Sequence, residues 1–205
     1  HAAAHVAPGD RVLDAGAGTG YYLAAVLDGM PERVGLALDI SKYAARRAAR
    51  AHPRAEAVVC DAWAALPVRD ASAACILSVF APRNAEEFAR VLVRGGVLLT
   101  VTPTGRHLAE LVDALDLISV DERKQERLAG SLGELFEQTA AEAVERSLAL
   151  SHAEVAALVA MGPSSRHADE AGLAARVAAL AVPAGATLSV TIAPWRRRSA
   201  EARAG

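Results

Sequence analysis

Three glycines at alternate positions, Gly16, Gly18 and Gly20, mark the stretch of this 205-residue chain that points most clearly to chemistry. They follow a short apolar run that ends in Asp14, and a helical pattern begins at about Thr19. A strand, a glycine turn and a helix together bind nucleotide-like cofactors, because backbone N–H groups converge at the helix N-terminus. Glycine is needed where a side chain would hold the backbone away from the ligand. The stretch therefore predicts a cofactor site.

The spacing of the motif indicates which cofactor this is. Dinucleotide-binding turns read G-x-G-x-x-G, whereas here Asp14 stands two residues before three alternating glycines. A carboxylate at that point suits an ammonium group and would repel a pyrophosphate; S-adenosylmethionine (SAM) carries an ammonium and no phosphate. Asp39, at the end of the next expected strand, can accept hydrogen bonds from both ribose hydroxyls. Together these residues resemble the class I SAM-dependent methyltransferases. A purely structural turn with solvated acids is the less favoured alternative.

Apolar strand patterns alternate with helical ones along the first half of the chain. This alternation predicts an α/β fold with a doubly wound, mostly parallel, seven-stranded sheet of the Rossmann-like type. The expected strands are 12–14, 33–39, 57–60, 74–80 and 97–102, and the expected helices 19–29, 41–51 and 85–92. Later segments predict helices at 107–116, 121–130, 151–161 and 172–181 and a last, antiparallel strand at 187–192. The segment 134–150 fits either a helix or a strand. No repeat or linker interrupts the pattern, so we expect a single domain over 1–205.

Composition excludes several classes of protein. The net charge of -2 does not indicate a nucleic-acid binder by itself. No apolar run approaches the roughly 20 residues of a membrane span, and no signal peptide is recognisable, so we expect a cytoplasmic protein without a membrane partner. Cys60 and Cys75 form no C-x-x-C pair, and no four ligands have metal spacing, so we expect buried reduced thiols and no metal in this chain. The oligomeric state is open, and a homodimer is compatible with the sequence.

Ligands of an open α/β sheet bind beyond the carboxyl ends of its strands, which selects the residues that follow each expected strand. Ile40 can pack on an adenine, and Asp61 can accept from the adenine amino group or, alternatively, cap its own loop. The full set of candidate cofactor-binding residues is Asp14, Gly16, Gly18, Gly20, Tyr21, Asp39, Ile40, Asp61, Ala62, Ser78 and His107.

The acceptor is expected beyond the fourth and fifth strands. Phe80 can stack on a planar substrate and Arg83 can meet a phosphate; a core aromatic and a solvated arginine are the alternatives. His107 can face the methionine end of the cofactor or the acceptor, although a lone histidine is often structural. Phe80 and His107 are therefore the candidate catalytic residues.

Several segments resemble one family nearly end to end: Leu13–Tyr22, Leu38–Lys42, Phe80–Glu87, Gly95–Pro103, Arg106–Leu111, Met161–Pro163 and Trp195–Arg196. This is the RlmA/TlrB family, and its most specific features here are the paired tyrosines after the glycine turn and the segment from Thr102 to Leu108. The resemblance implies a SAM-dependent enzyme that methylates guanine N1 in hairpin 35 of 23S ribosomal RNA. The TlrB branch confers resistance to tylosin-type macrolides. These residues do not determine to which branch the chain belongs, and therefore they do not determine which guanine is modified.

The resemblance also implies features of the RNA complex. Family members carry an N-terminal zinc module that helps to bind the hairpin, and we expect it to be absent from this chain, which starts at His1. The guanine should leave its stack, and its N1 proton must be removed or guided away. We expect His107 to lie close enough to assist or to hold the cofactor, and the destination of the proton stays open. The candidate RNA-binding residues are Arg83, Arg106, Arg196 and Arg197. The run 195–198 also fits a solvated tail.

Other functions fit parts of the pattern. A class I methyltransferase for a small metabolite, with 134–181 as a lid, would not depend on RNA. A SAM-binding fragment that is inactive without the zinc module is a second alternative. An NAD-linked dehydrogenase is disfavoured by Asp14 and the glycine spacing, and a degenerate, non-enzymatic fold is disfavoured by the intact motif.

Overall fold

The computed structural model describes residues 10–117, 130, 132–161 and 170–198. The described residues form eight strands, and a helix follows each of the first five except the third, which leads through a loop to the fourth. The strands are β1 (Arg11–Ala15), β2 (Val34–Asp39), β3 (Ala55–Val59), β4 (Ala73–Val79), β5 (Leu92–Pro103), β6 (Phe136–Gln138), β7 (Glu142–Leu150) and β8 (Ala184–Arg197). The helices are α1 (Tyr21–Asp28), α2 (Lys42–Ala48), α3 (Ala85–Val91), α4 (Ala109–Leu115), α5 (His152–Met161) and α6 (Glu170–Ala178).

The strands form one sheet in the order β3-β2-β1-β4-β5-β8-β6, and β7 pairs with β8. The pairs β1–β2, β1–β4, β2–β3 and β4–β5 are parallel, and β6 is antiparallel to β8. The predicted α/β fold with a mostly parallel sheet is confirmed. The expected number of seven strands is wrong, because both β6 and β7 lie in the segment 134–150 that the pattern left ambiguous. Pairing of β7 with β8 satisfies its backbone groups, and this overrides the helical preference of its glutamates and alanines.

The described residues divide into two compact units. The first unit contains residues 10–102, 130, 132–142 and 192–198, and the second contains 103–117, 143–161 and 170–191. Both β5 and β8 contribute residues to each unit.

Two apolar clusters cover the two faces of the sheet in the first unit. Leu13 belongs to one cluster and its neighbour Val12 to the other, because successive side chains of a strand point to opposite faces. The first cluster includes Phe88 of α3, and the second includes Leu23 and Leu27 of α1. Burial on both faces explains the continuous apolar runs of the parallel strands.

The second unit has its own core, formed by Leu111 and Leu115 of α4 and by Val155 and Val159 of α5. Each pair is four residues apart and so lies on one helix face. The helix after Ser151 begins with a reciprocal cap, since Glu154 N donates to Ser151 Oγ at 3.3 Å and Ser151 N donates to Glu154 Oε2 at 2.8 Å. The expected helices 107–116, 151–161 and 172–181 are confirmed with shifted ends; the segment 121–129 of the expected helix 121–130 lies outside the described residues.

Candidate functional site

The glycine turn follows β1 directly, and all three glycines have left-handed backbones. Their φ values are 77° at Gly16, 55° at Gly18 and 82° at Gly20. A Cβ added at Gly16 would lie 2.6 Å from Ala81 Cβ, and one added at Gly20 would lie 2.8 Å from Ala48 Cα. The outer glycines are therefore required by close packing as well as by conformation.

Gly18 has a different environment from the outer glycines. An added Cβ would meet no described atom within 4 Å, so a ligand can approach the backbone here. Gly18 N donates to Asp39 Oδ2 at 2.8 Å, and Ser41 N donates to Asp39 Oδ1 at 2.8 Å. These two bonds fix the Asp39 carboxylate beside the turn. Since each carboxylate oxygen has two lone pairs, Asp39 can still accept from ribose hydroxyls.

Asp14 is a buried acid with an unsatisfied oxygen. Its side chain is 1% exposed, and Oδ2 has no hydrogen-bond partner. Burial, and after it the negative charge of Asp39, raises the pKa of Asp14 to about 7. A hydrogen bond from the backbone of Leu23, in the first turn of α1, partly offsets this rise. An unpaired buried carboxylate costs free energy that a bound cation would recover. Asp14 therefore fits the ammonium group of SAM.

Ser78 lies near the carboxyl end of β4, which pairs with β1 so that Leu77 faces Asp14. Ser78 is fully buried, and its Oγ has no partner. Buried polar groups are normally hydrogen-bonded, so two unsatisfied groups at the ends of neighbouring strands indicate a site prepared for a polar ligand. The residues present thus fit SAM.

The candidate adenine-contacting residues lie beyond β2 and β3. Ile40 is 73% exposed, which leaves an apolar surface at the edge of the sheet. Asp61 Oδ1 accepts from Trp63 N at 2.9 Å, so Asp61 caps its own loop in this structure. Ala62 is buried, and Tyr21 is exposed at the start of α1. The adenine roles of Ile40 and Asp61 stay predictions.

Phe80 follows β4 with a φ of 52°, which is uncommon for a bulky side chain. Its N–H donates to Val101 O at 3.1 Å, and its side chain is 47% exposed, so the alternative of a core aromatic is wrong. Strained backbone of this kind concentrates at functional sites, which supports the proposed stacking role. Nothing in the sequence around Phe80 signals the strain.

Arg83, three residues further on, is only 6% exposed, and its Nε has no partner. Burial lowers the pKa of its guanidinium group. The alternative of a solvated arginine is therefore wrong, while contact with an RNA phosphate stays a prediction. The next residue, Asn84, caps α3 by accepting from Glu87 N at 3.3 Å.

The other candidate RNA-binding arginines are exposed. In the second unit, Arg106 Nη1 lies 3.5 Å from Glu145 Oε2. In the first, Arg196 and Arg197 belong to β8, and Arg196 Nη1 donates to Gly95 O at 3.2 Å. The buried Trp195 donates from Nε1 to Thr100 Oγ1 at 3.0 Å. The alternative of a solvated tail at 195–198 is therefore wrong, and β8 extends well beyond the expected 187–192.

His107 belongs to the second unit and is half-buried. Ser189 N donates to its Nδ1 at 3.2 Å, and burial lowers the pKa of the ring. Ser189 Oγ also lies 2.6 Å from Thr104 Oγ1 and donates to Glu145 Oε1 at 2.9 Å. Sequence reasoning missed Ser189 and Glu145, because they are 82 and 44 residues from their partners His107 and Ser189 and carry no motif of their own.

Three observations bear on the other predicted properties. No helix in the described ranges is long and apolar enough to cross a membrane. Across the same ranges, no three His, Cys, Asp or Glu side chains come together as metal ligands would. Cys60 and Cys75 are free thiols and only partly buried, and burial raises the pKa of Cys75 to about 11.

Comparison with known proteins adds evidence over most of the chain. Residues 12–96 match the family model of a methyltransferase domain. A Streptomyces fradiae protein, 23S rRNA (guanine(748)-N(1))-methyltransferase, is 51% identical over 187 residues, which cover 91% of this chain and 67% of the relative. The chain belongs to the family of 23S rRNA (guanine-N1-)-methyltransferases. A family member from Micromonospora griseorubida is 56% identical over 191 residues, covering 93% of this chain and 65% of the relative. The chain spans about two thirds of the length of these two relatives.

Solved structures agree on the fold of this family member. The MccD protein superposes with a TM-score of 0.60 at 18% identity, covering 92% of this chain and 90% of MccD. A SAM-dependent methyltransferase from Geobacter sulfurreducens, solved with S-adenosyl-L-homocysteine, gives 0.54 at 18% identity and covers 96% and 88%. At such low identity the likeness concerns the fold alone.

Proposed function

We propose that this chain is a SAM-dependent methyltransferase that modifies N1 of a guanine in hairpin 35 of 23S rRNA. The observation that carries the proposal is the buried Asp14, whose Oδ2 has no partner, beside a glycine turn that is open at Gly18. Family membership supplies the choice of RNA and of the guanine N1 atom. Tylosin-type macrolide resistance and a cytoplasmic location follow from the same proposal, because the modified RNA belongs to the ribosome.

Bound SAM would supply an electrophilic methyl group. Three residues would hold it: Asp14 would pair with the ammonium, Asp39 would accept from the ribose, and the Gly18 backbone would permit close approach. Phe80, exposed beyond β4, would stack on the guanine once it leaves the RNA. Much of the acceleration would then come from alignment of the acceptor nitrogen and from exclusion of water.

The N1 proton of guanine must leave during transfer, because N1 is protonated at neutral pH. His107 is the candidate to accept or guide this proton. Burial lowers the pKa of its ring, which favours the neutral form. Because Ser189 N donates to Nδ1, the neutral ring carries its hydrogen on Nε2, so acceptance of the guanine proton would require Nδ1 to give up the Ser189 hydrogen bond. RNA phosphates are assigned to Arg83, Arg106, Arg196 and Arg197. Where the full-length protein carries the N-terminal module of the family, we propose that zinc stabilises it.

The test is transfer of a labelled methyl group from SAM to a 23S rRNA transcript, mapped by primer extension, since an N1 methyl group blocks base pairing. We expect one modified guanine in hairpin 35 with the wild-type chain and none with Asp39→Ala. Calorimetry with SAM alone separates the cofactor site from the substrate. SAM binding without transfer to any rRNA transcript would contradict the activity, and methylation of a small metabolite without RNA would favour the alternative substrate class.

A further inference from the structure

A basic surface next to the glycine turn has no role in the reaction described above. The stretch 40–55 contains five Lys or Arg residues and no acidic residue, in a chain whose net charge is -2. Arg54 is part-buried and donates to the main-chain oxygens of Leu27, Met30 and Arg33. The other four are exposed, and we call them the α2 basic surface: Lys42, Arg46, Arg47 and Arg50.

The side chains of the α2 basic surface form no ion pairs within the described ranges. Arg50 lies four positions after Arg46 and three after Arg47, so it is a helix-surface neighbour of both, at the end of α2 and in the turn that follows it. Lys42 Nζ lies 5.2 Å from the ring centroid of the exposed Tyr43. The positive charge is therefore available to an anionic partner.

A groove of about 750 Å³ lies between α1 and this surface. Arg47 and Arg50 line one side, and Tyr21, 73% exposed, lines the other. Asp28 also lines the groove, with its carboxylate 3.4 Å from His52 Nε2. Guanidinium groups match the geometry of phosphates, and an exposed aromatic ring offers a stacking surface to a base, so the lining suits a strand of RNA.

The groove begins at the cofactor turn. Thr19 and Tyr21, which flank Gly20 in the sequence, line it. Gly20 allows α2 to pack closely against the turn, because an added Cβ would lie 2.8 Å from Ala48 Cα. A strand that follows the groove therefore runs past the turn at which the methyl donor is proposed to bind.

We propose that the α2 basic surface binds backbone phosphates of the RNA substrate, beside the segment that presents its guanine. Arg47 and Arg50 are the central contacts, since they line the groove itself. The identity of the RNA rests on the proposed function. The surface adds contacts to the four arginines named from the sequence, and it lies wholly within the first unit.

The test compares binding of a transcript containing hairpin 35 of 23S rRNA by the wild-type chain and by the double variant Arg47→Gln/Arg50→Gln. We expect the Kd of the variant to rise about tenfold at roughly 0.1 M salt. Loss of two phosphate contacts should also reduce the slope of log K against log salt concentration by roughly 1.4 to 1.8. SAM affinity, measured by calorimetry, should stay within about twofold of wild type, because neither arginine belongs to the proposed cofactor site.

Two control variants distinguish an effect of the position of the arginines from an effect of the total charge of the chain. Arg69→Gln/Arg94→Gln removes the same charge from two exposed arginines near the amino ends of β4 and β5, and should leave RNA binding within about twofold of wild type. Arg47→Lys/Arg50→Lys keeps the charge at the groove and should keep most of the salt dependence. Circular dichroism establishes that each variant folds.

The possible outcomes distinguish a failure of the proposed α2 basic surface from a failure of the proposed function. Unchanged RNA affinity in the Arg47→Gln/Arg50→Gln variant would contradict RNA binding by the α2 basic surface without affecting the proposed function. An equal loss of RNA affinity in the Arg69→Gln/Arg94→Gln variant would have the same meaning. Binding that depends on Arg47 and Arg50 without any methylation supports the surface and contradicts the proposed function. A wild-type chain that does not bind the transcript contradicts both.

Discussion

Ser78 of the first unit and Ser189 of the second are both almost fully buried, at 0% and 1% exposure, but their surroundings are opposite. Ser189 Oγ lies within hydrogen-bond distance of Thr104 Oγ1 and Glu145 Oε1. Ser78 Oγ has no partner. Where the fold satisfies a buried polar group, that group holds the fold together; where the fold leaves one unsatisfied, a ligand can complete it.

The acids of the two units differ in the same way. The hydroxyl of Thr187 lowers the pKa of Glu110 in the second unit by donating to it. Burial and the charge of Asp39 raise the pKa of Asp14 in the first unit to about 7. A carboxyl group held partly protonated at neutral pH is poised for a cation, whereas one that its neighbours already stabilise is not.

The largest expected effect is that of Asp14→Asn on the cofactor. Removal of the buried partner of the SAM ammonium should weaken SAM binding at least about 100-fold, in the range of 3–5 kcal/mol for breaking a buried charge pair. Calorimetric titration at pH 7.5 measures this loss. Glu110→Gln is the control from the second unit and should leave SAM affinity within about twofold. Equal affinity in the two variants would show that Asp14 does not contact the cofactor.

The same substitution should stabilise the ligand-free protein at pH 8. The pKa of Asp14 rises on folding from 3.8 to about 7, so the folded state binds the proton more tightly than the unfolded state. The tighter binding of this proton stabilises the folded state fully below pH 3.8, and the stabilisation is lost as the pH rises to about 7. At 1.36 kcal/mol per pKa unit, the free energy of unfolding falls by about 4 kcal/mol over this range. Asn carries no charge, so thermal denaturation at pH 8 should show a higher Tm than for wild type. A lower Tm would contradict the raised pKa.

A pH series tests whether the charge of Asp14 controls SAM binding. SAM should bind the ionised form of Asp14, so its affinity should fall as the pH drops below about 7, approaching tenfold per pH unit. Above about pH 8 the amino group of SAM loses its proton, and affinity should fall again. Titrations at a series of pH values define this profile. The acid limb should be missing in Asp14→Asn, and an unchanged acid limb there would assign the titration to another group.

The glycine turn allows a contrast within the first unit. Gly16→Ala adds a methyl group 2.6 Å from Ala81 Cβ at a φ of 77°, so both a clash and strain oppose it. Gly18→Ala meets only the strain of a left-handed backbone, about 1–2 kcal/mol. Urea denaturation should show the greater loss of unfolding free energy for Gly16→Ala, while SAM binding weakens in both. Equal losses of stability would mean that the loop at Ala81 moves aside.

Much of the site could be predicted from sequence because the motif is local. The glycines, Asp14 and Asp39 lie at fixed offsets from two short apolar strands, and the parallel sheet brings those strand ends together. The unsatisfied state of Asp14 and Ser78 could not be read from the same residues. Whether a buried oxygen has a partner depends on neighbours that are distant in the sequence.

Local sequence preferences did not predict the structure where contacts between distant residues determine it. The segment 142–150 contains residues that favour a helix, but β8 supplies its hydrogen-bond partners and makes it a strand. Arg83 lies in a loop, where a solvated arginine fits the sequence, yet it is buried. The sequence does not single out the exposed arginines of α2, because a groove formed with α1 has no signature in the sequence.

The smallest expected effects are those of alanine substitutions at Ser78 and Ser189. Ser189→Ala removes the link between Thr104 and Glu145 in the second unit and should cost about 1 kcal/mol of unfolding free energy, with SAM affinity unchanged. Ser78→Ala removes a hydroxyl that has no partner, so stability should stay within about 0.5 kcal/mol of wild type. Urea denaturation of both variants without SAM measures the difference. If Ser78→Ala were the more destabilising, the Ser78 hydroxyl would be satisfied within the fold. The Ser78 hydroxyl would then not be available to bind a ligand.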